Sequence, residues 1–88
     1  MITSSQIRAA RALLGIGQKE LAELSDVSLP TIQRMEGSQG NVRSVVSSLS
    51  KVVDALERAG IELIGENTQS PSGGRGVRLK EPVRDLSA

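Results

Sequence analysis

The sequence predicts a mainly α-helical fold in which four helices are followed by a C-terminal β-hairpin. Across the first 60 residues, apolar side chains recur three and four positions apart in four segments, as they do on the buried face of amphipathic helices. Residues that typically cap helices stand at the ends of these segments. Beyond residue 60, the runs 61–64 and 76–80 are apolar or alternate apolar with basic residues, which is typical of short strands.

The first helix is predicted from Thr3 to about Leu14. Thr3 and Gln6 have the spacing of a capping box, in which the hydroxyl accepts from a first-turn amide and the Gln side chain reaches back to residue 3. Gly15 ends the helix, because glycine tolerates the backbone conformation of a helix C-terminus. Its predicted apolar face consists of Ile7, Ala10, Leu13 and Leu14.

The segment 18–37 predicts two shorter helices joined by a tight turn. In the first, Leu21 and Leu24 lie three residues apart and therefore share one side, and Gly17 is its N-cap. Ser25–Asp26 breaks the pattern.

Ser28 is predicted as the N-cap of the second of these helices, since its hydroxyl can accept a bond from an exposed amide of the first turn. Pro30 fits that turn, where its missing N–H costs little. Ile32 and Met35 are predicted core residues, and Gly37 is the C-terminal stop.

The fourth helix is predicted from an N-cap at Ser44 to about Ala59, with Gly60 as its stop. Its expected buried stripe is Val46, Leu49, Val53 and Leu56, widened by Val45 and Val52. The chain then divides into a helical domain over residues 1–60, a hairpin over 61–80 and a disordered tail over 81–88.

Composition excludes several classes of function. The 88 residues include no Cys, His or aromatic residue, so a thiolate metal site, a disulfide and base stacking on rings are excluded. No cofactor is expected, and an enzyme is disfavoured because no spacing suggests a catalytic pair. No apolar run is long enough to span a membrane, which favours a cytoplasmic protein. The net charge is only +1, and segment 18–36 has two basic against four acidic residues, a net charge of −2.

The segment 18–37 resembles the helix-turn-helix of the Cro/C1-type (XRE) transcriptional regulators. The resemblance extends from about Ile7 to Leu56, with one matching helix before the motif and one after it. It implies a lambda-repressor-like fold that binds double-stranded DNA. The matching residues are Gln18, Leu21–Ala22, Val27–Ser28, Thr31–Ile32 and Glu36–Gly37.

The resemblance implies which residues contact DNA. Gln18 begins a helix whose N-terminus would face a phosphate, Gln33 could pair with adenine, and Arg34 could pair with guanine or phosphate. Ser28 could bond phosphate or a base, whereas Leu29 and Pro30 have no hydrogen-bond donors and would offer only apolar contact to a thymine methyl. The full expected set is Gln18, Lys19, Ser28, Leu29, Pro30, Thr31, Gln33 and Arg34.

The same resemblance implies an ion pair between Arg11 of the first helix and Glu36 at the end of the recognition helix. A partly buried, charge-assisted bond of this kind would fix the angle of the recognition helix. Two separate solvated charges are the alternative.

The leading functional hypothesis is a transcriptional repressor that occupies an operator. One alternative is the antitoxin of a toxin–antitoxin pair, with the region 65–88 holding the toxin. Another is a protein-interaction module without a DNA role, which the acidic balance of 18–36 favours.

A homodimer is expected to assemble through apolar residues of the hairpin, because an isolated two-stranded hairpin is marginal in water. The alternative is a monomer in which the hairpin packs on the fourth helix. The basic residues Arg75, Arg78 and Lys80 could contact phosphate, but a solvated strand edge is preferred. The expected dimer residues are Ile61, Leu63, Ile64, Val77 and Leu79.

Overall fold

The structure, a computed structural model, describes residues 2–38, 46–65, 74 and 76–79. The expected N-cap at Ser44, the neighbouring Val45, the basic residues Arg75 and Lys80, and the tail 81–88 lie outside the described residues. The described part is mainly helical with a small antiparallel hairpin, which confirms the coarse fold class. Its elements are α1 (Ser4–Leu14), α2 (Gln18–Ser25), α3 (Leu29–Gly37), α4 (Val46–Arg58), β1 (Ile61–Ile64) and β2 (Gly76–Leu79).

Local hydrogen bonds fix the starts of α1 and α3 as the sequence predicts. The end of α3 differs, because Gly37, the predicted stop, is its last helical residue and Ser38 is its C-cap. At α1, the Thr3 hydroxyl accepts from the Gln6 amide at 3.1 Å, and the Gln6 side-chain oxygen accepts from the Thr3 amide at 2.8 Å. Gly15 caps the other end with φ +70°. At α3, the Ser28 hydroxyl accepts from the Thr31 amide at 3.3 Å.

The core contains one side of each helix and part of the hairpin. Its largest apolar side chains are all fully buried, and they come from every helix and from β1. Helix α2 packs against α3 and α4, and α1 packs against α3. These side chains are Ile7, Leu21, Ile32, Met35, Val52, Leu56 and Ile61.

Three leucine and valine residues predicted to lie on buried faces are exposed. Leu14 follows Ile7 by seven residues and stays on its face, whereas Leu13 lies about 120° around the helix, at 100° per residue. On α2, Ser25 takes the buried position instead of Leu24, and its hydroxyl donates to the Leu21 carbonyl at 2.7 Å.

Val46 begins α4 and is 78% exposed, because the buried stripe of that helix is centred elsewhere. Val52 is the first fully buried residue of α4, and Val46 lies about 120° around the helix from it. The residues of α4 that are buried are Val52, Ala55 and Leu56.

The hairpin packs against the helices of its own chain. Strand β1 contacts α4 and strand β2 contacts α1. In the antiparallel register Ile61 faces Leu79, and Leu63 faces Val77. Because side chains alternate across a strand, these four share one face, and all four pack in or against the core.

This packing removes Ile61 from the expected dimer interface, whereas Leu63, Val77 and Leu79 are half-buried against the core. The core of the same chain buries Ile61 completely, so a second copy is not needed to remove it from water. Of the five predicted interface residues, only Ile64 lies on the outer face, beside the cross-strand pair of Glu62 and Arg78.

Candidate nucleic-acid interface

A tight turn connects α2 to α3 and sets the geometry of the predicted helix-turn-helix. Asp26 caps α2 in the left-handed conformation, with φ +56° and ψ +43°. The Val27 amide then donates to the Ala22 carbonyl at 3.1 Å, which closes the end of α2. Two residues later Leu29 begins α3, with Ser28 as its cap and Pro30 in its first turn.

Helix α3 has a buried face and an exposed face. Ile32 and Met35 are fully buried, and Glu36 is almost completely buried. Of the predicted DNA-contacting residues, Ser28, Pro30, Gln33 and Arg34 are exposed and Thr31 is half-buried. Leu29 was expected on the exposed face, but it is half-buried and packs against the core, because it lies on the same side of the helix as Ile32. The structure therefore brings six of the eight predicted residues together at α3.

Glu36 is held from two other helices. Its carboxylate accepts from Arg11 Nε and Arg11 Nη2, each at 2.7 Å, so the pair is bidentate. The Gln18 side-chain amide donates to the same carboxylate at 3.1 Å. Arg8 donates to the backbone carbonyl of Glu36. Side chains from α1 and α2 thus converge on the last turn of α3.

The pKa values of the pair reflect these contacts. Burial acts to raise the pKa of Glu36, but the hydrogen bonds from Arg11 and Gln18, with the charges of Arg11 and Arg8, outweigh it. The pKa of that carboxyl therefore lies below its ordinary value of 4.5. The hydrogen bond to Glu36 raises the pKa of Arg11, so both groups are charged at neutral pH.

Gln18 is placed differently from the expectation. Its side-chain amide is directed to Glu36 inside the protein, so at least one of its two N–H groups is not available to a phosphate. The carboxylate of Glu20 caps the same end of α2, where it accepts from the Gly17 amide at 2.9 Å. An acidic group at this position weakens the attraction of the helix N-terminus for phosphate. Lys19 is exposed beside it.

A chain of polar contacts runs along the exposed side of α3. The Ser28 and Thr31 hydroxyl oxygens are 2.8 Å apart, and Arg34 Nη2 donates to the Thr31 hydroxyl at 3.2 Å. The three residues are spaced three apart, so they follow one another on one side of the helix.

Two sets of contacts from α1 to distant parts of the chain were not predicted. Gln6 donates both hydrogens of its side-chain amide to the hairpin, to the Ile64 carbonyl at 3.0 Å and the Gly76 carbonyl at 2.9 Å. The Ser4 hydroxyl donates to the Ser38 carbonyl, just beyond α3, at 2.6 Å. Both link residues far apart in sequence, and no local pattern signals them.

The remaining observations concern ligands and relatives. In the described ranges, no group of three or more acidic residues could hold a metal ion. No helix in the same ranges is long and apolar enough to cross a membrane. In sequence comparisons, no protein-family model and no curated protein matches the chain.

Proposed function

We propose that this chain binds double-stranded DNA by placing α3 in the major groove, and that it regulates transcription by occupying an operator. The observation that carries the proposal is the division of α3 into two faces. One face is fixed to α1 and α2 through Glu36, while the other presents Gln33 and Arg34 to solvent. A rigidly held helix with exposed polar side chains is what readout of base edges requires.

The resemblance of segment 18–37 to the Cro/C1-type regulators supports the same function. In that geometry the N-terminal residues of the second motif helix approach the base edges. Ser28 and Thr31 stand there, and Pro30 offers an apolar contact to a thymine methyl. The lambda-repressor-like arrangement of the four helices is part of the proposal.

The charges near α3 limit how tightly one copy can bind. Glu20, Glu23 and Asp26 are exposed on α2 and the turn, whereas Lys19 is the basic residue on this side. Phosphate neutralisation supplies most non-specific affinity, so a single copy should bind random DNA weakly. We therefore include a homodimer in the proposal, since two copies on a palindromic site double the favourable contacts.

A direct test selects bound sites from a pool of random duplexes with the full chain. The selected site is then titrated by fluorescence anisotropy between about 50 and about 200 mM salt, a range over which phosphate contacts lower affinity steeply. Arg34→Ala should weaken binding by about 1–3 kcal/mol, the usual value of one specific base contact. Arg58→Ala is the matched control, because it removes the same charge from an exposed position in the last turn of α4. Equal losses in the two variants, or no enriched site, would contradict the proposal.

A protein partner is the second candidate function, and one feature favours it. The acidic residues Glu23 and Asp26 line a shallow depression with Val27, Ser28 and Leu29 at the turn between α2 and α3. Lys19 lines it as well, so its charged groups are two carboxylates and one ammonium. That net negative charge beside apolar side chains suits a basic protein segment better than a phosphate backbone. Binding to a purified partner with no salt-dependent DNA binding would favour this function, and a toxin would be one such partner.

A further inference from the structure

The hydroxyl of Thr31 holds the side chain of Arg34 in a defined place. Arg34 Nη2 donates to the Thr31 hydroxyl at 3.2 Å, and that hydroxyl is in turn 2.8 Å from the Ser28 hydroxyl. Helical side chains lean toward the N-terminus of their helix, and this bond keeps the guanidinium over the first turn of α3. The charge of Arg34 thereby lies beside the two hydroxyls of Ser28 and Thr31.

Counting hydrogens shows what this group of three side chains can recognise. The Ser28 hydroxyl accepts from the Thr31 amide, and one hydroxyl donates to the other. Thr31 also accepts from Arg34, so one hydroxyl hydrogen and one oxygen lone pair remain between the two. The guanidinium has five N–H groups and uses one of them here, which leaves four. The surface is therefore dominated by donors.

We infer that Thr31 is a positioning residue that presets Arg34 to read a guanine in the major groove; this inference rests on the proposed DNA-binding function. Guanine is the base whose major-groove edge presents two acceptors, N7 and O6, side by side. Adenine and cytosine each present an amino donor on that edge, which a donor-rich surface does not complement. Because the long Arg side chain is already held in place, less conformational entropy is lost when it binds. This gain in affinity appears where the guanidinium meets the two acceptors of guanine.

The test measures discrimination at each base pair of the selected site, for the full chain and three variants. Thr31→Val removes the hydroxyl at nearly constant shape, Thr31→Ser keeps the hydroxyl, and Arg34→Ala removes the reading group. Ser28 is left unchanged because it caps α3. Urea melts first establish that each variant is folded under the binding conditions.

We expect Arg34→Ala to lower the ratio of affinities for guanine and the other bases at one base pair by about tenfold or more. Thr31→Val should lower the preference at that same base pair by about twofold to tenfold, the equivalent of immobilising one flexible side chain. Thr31→Ser should restore it. Replacing the guanine by 7-deazaguanine, which lacks the N7 acceptor, should weaken DNA binding by the unaltered chain and leave DNA binding by Arg34→Ala unchanged. Inosine has the same major-groove edge as guanine and should be bound equally well.

Three results would overturn the inference in different ways. If Arg34→Ala loses the guanine preference and Thr31→Val keeps it, the proposed function stands and the role of Thr31 is wrong. If Arg34→Ala and Thr31→Val weaken all sites equally, Arg34 contacts phosphate rather than a base. If the unaltered chain selects no site, both the inference and the proposed function fail.

Discussion

The pair formed by Arg11 and Glu36 should contribute to stability far more than the surface pair formed by Arg78 and Glu62. The side chains of the first pair are 21% and 3% exposed, and those of the second 68% and 36%. Both pairs join the same two residue types, but they differ in burial and in geometry, because Arg11 contacts both carboxylate oxygens of Glu36 whereas Arg78 contacts one oxygen of Glu62. Comparing the two pairs shows how much free energy of unfolding is lost when a buried carboxylate loses its arginine partner.

The expected magnitudes follow from that burial. Arg11→Met leaves the Glu36 carboxylate buried without its bidentate partner, and removing one member of a buried pair costs about 3–5 kcal/mol. Because Arg11 keeps about one-fifth of its side-chain surface exposed, the lower end of that range, about 3 kcal/mol, is expected. Glu36→Gln should also destabilise, and the double variant should lose less than the sum, with a coupling energy of about 2 kcal/mol. The exposed pair should couple by less than about 1 kcal/mol.

The assay is a double-variant cycle for each pair by urea unfolding at neutral pH. Far-ultraviolet circular dichroism is the appropriate signal, because the chain has no aromatic residue to fluoresce and the described part is mainly helical. Matching cycles use Arg11→Met with Glu36→Gln, and Arg78→Met with Glu62→Gln. Additive losses in the first cycle, or equal coupling in the two, would refute the assignment of Glu36 as the point that fixes α3.

Three further predictions concern pH, the hairpin and the turn. Because the folded pKa of Glu36 is lowered, its contribution to stability is complete above the ordinary value of 4.5 and is lost as the pH falls through the folded pKa. Melting temperatures of the unaltered chain should therefore fall in that acidic range more steeply than those of Glu36→Gln, and parallel curves would contradict this. Ile61→Ala should cost about 2–5 kcal/mol in urea melts, whereas Ile64→Ala, on the outer face of the same strand, should cost clearly less; similar losses would show that β1 does not pack as described. Asp26→Val should cost about 1–2 kcal/mol because of the left-handed backbone at this residue, and Asp26→Gly should cost nothing; a loss of stability in the glycine variant would mean that the Asp side chain itself stabilises the turn.

Much of the local structure could be predicted from the sequence, because it depends on residues three or four positions apart. The capping box of Thr3 and Gln6 and the cap at Ser28 are examples, and each is satisfied by its own helix. The two strands and their pairing as a hairpin were also predictable from short apolar runs, and the contact of β1 with α4 matches the alternative in which the hairpin packs on the fourth helix. The contact of β2 with α1 was not predicted.

The centre of each buried face could not be predicted. Spacing alone shows that Leu21 and Leu24 share one side of α2, but it does not show that the neighbouring helices meet the side carrying Ser25. A serine is buried there at little cost because its hydroxyl donates to a carbonyl of its own helix. The hairpin is a similar case, since the apolar residues that suggested a dimer are used to complete the core of one chain.

The position of Gln18 changes how register on DNA would be set. From the sequence, its side chain was expected to bind phosphate, yet the structure uses it to hold the Glu36 carboxylate. Under the proposed function, Gln18 would act on the DNA interface indirectly, because side chains of α1 and α2 together hold the Glu36 carboxylate at the end of α3. Because the Glu20 carboxylate caps the N-terminus of α2, we expect this helix end to attract phosphate weakly. Under the proposed function, base contacts from α3 would then carry a larger share of the affinity. Such a chain should bind random DNA poorly and discriminate strongly between DNA sequences. Its specificity is therefore expected to depend on the position in which Thr31 holds the Arg34 side chain.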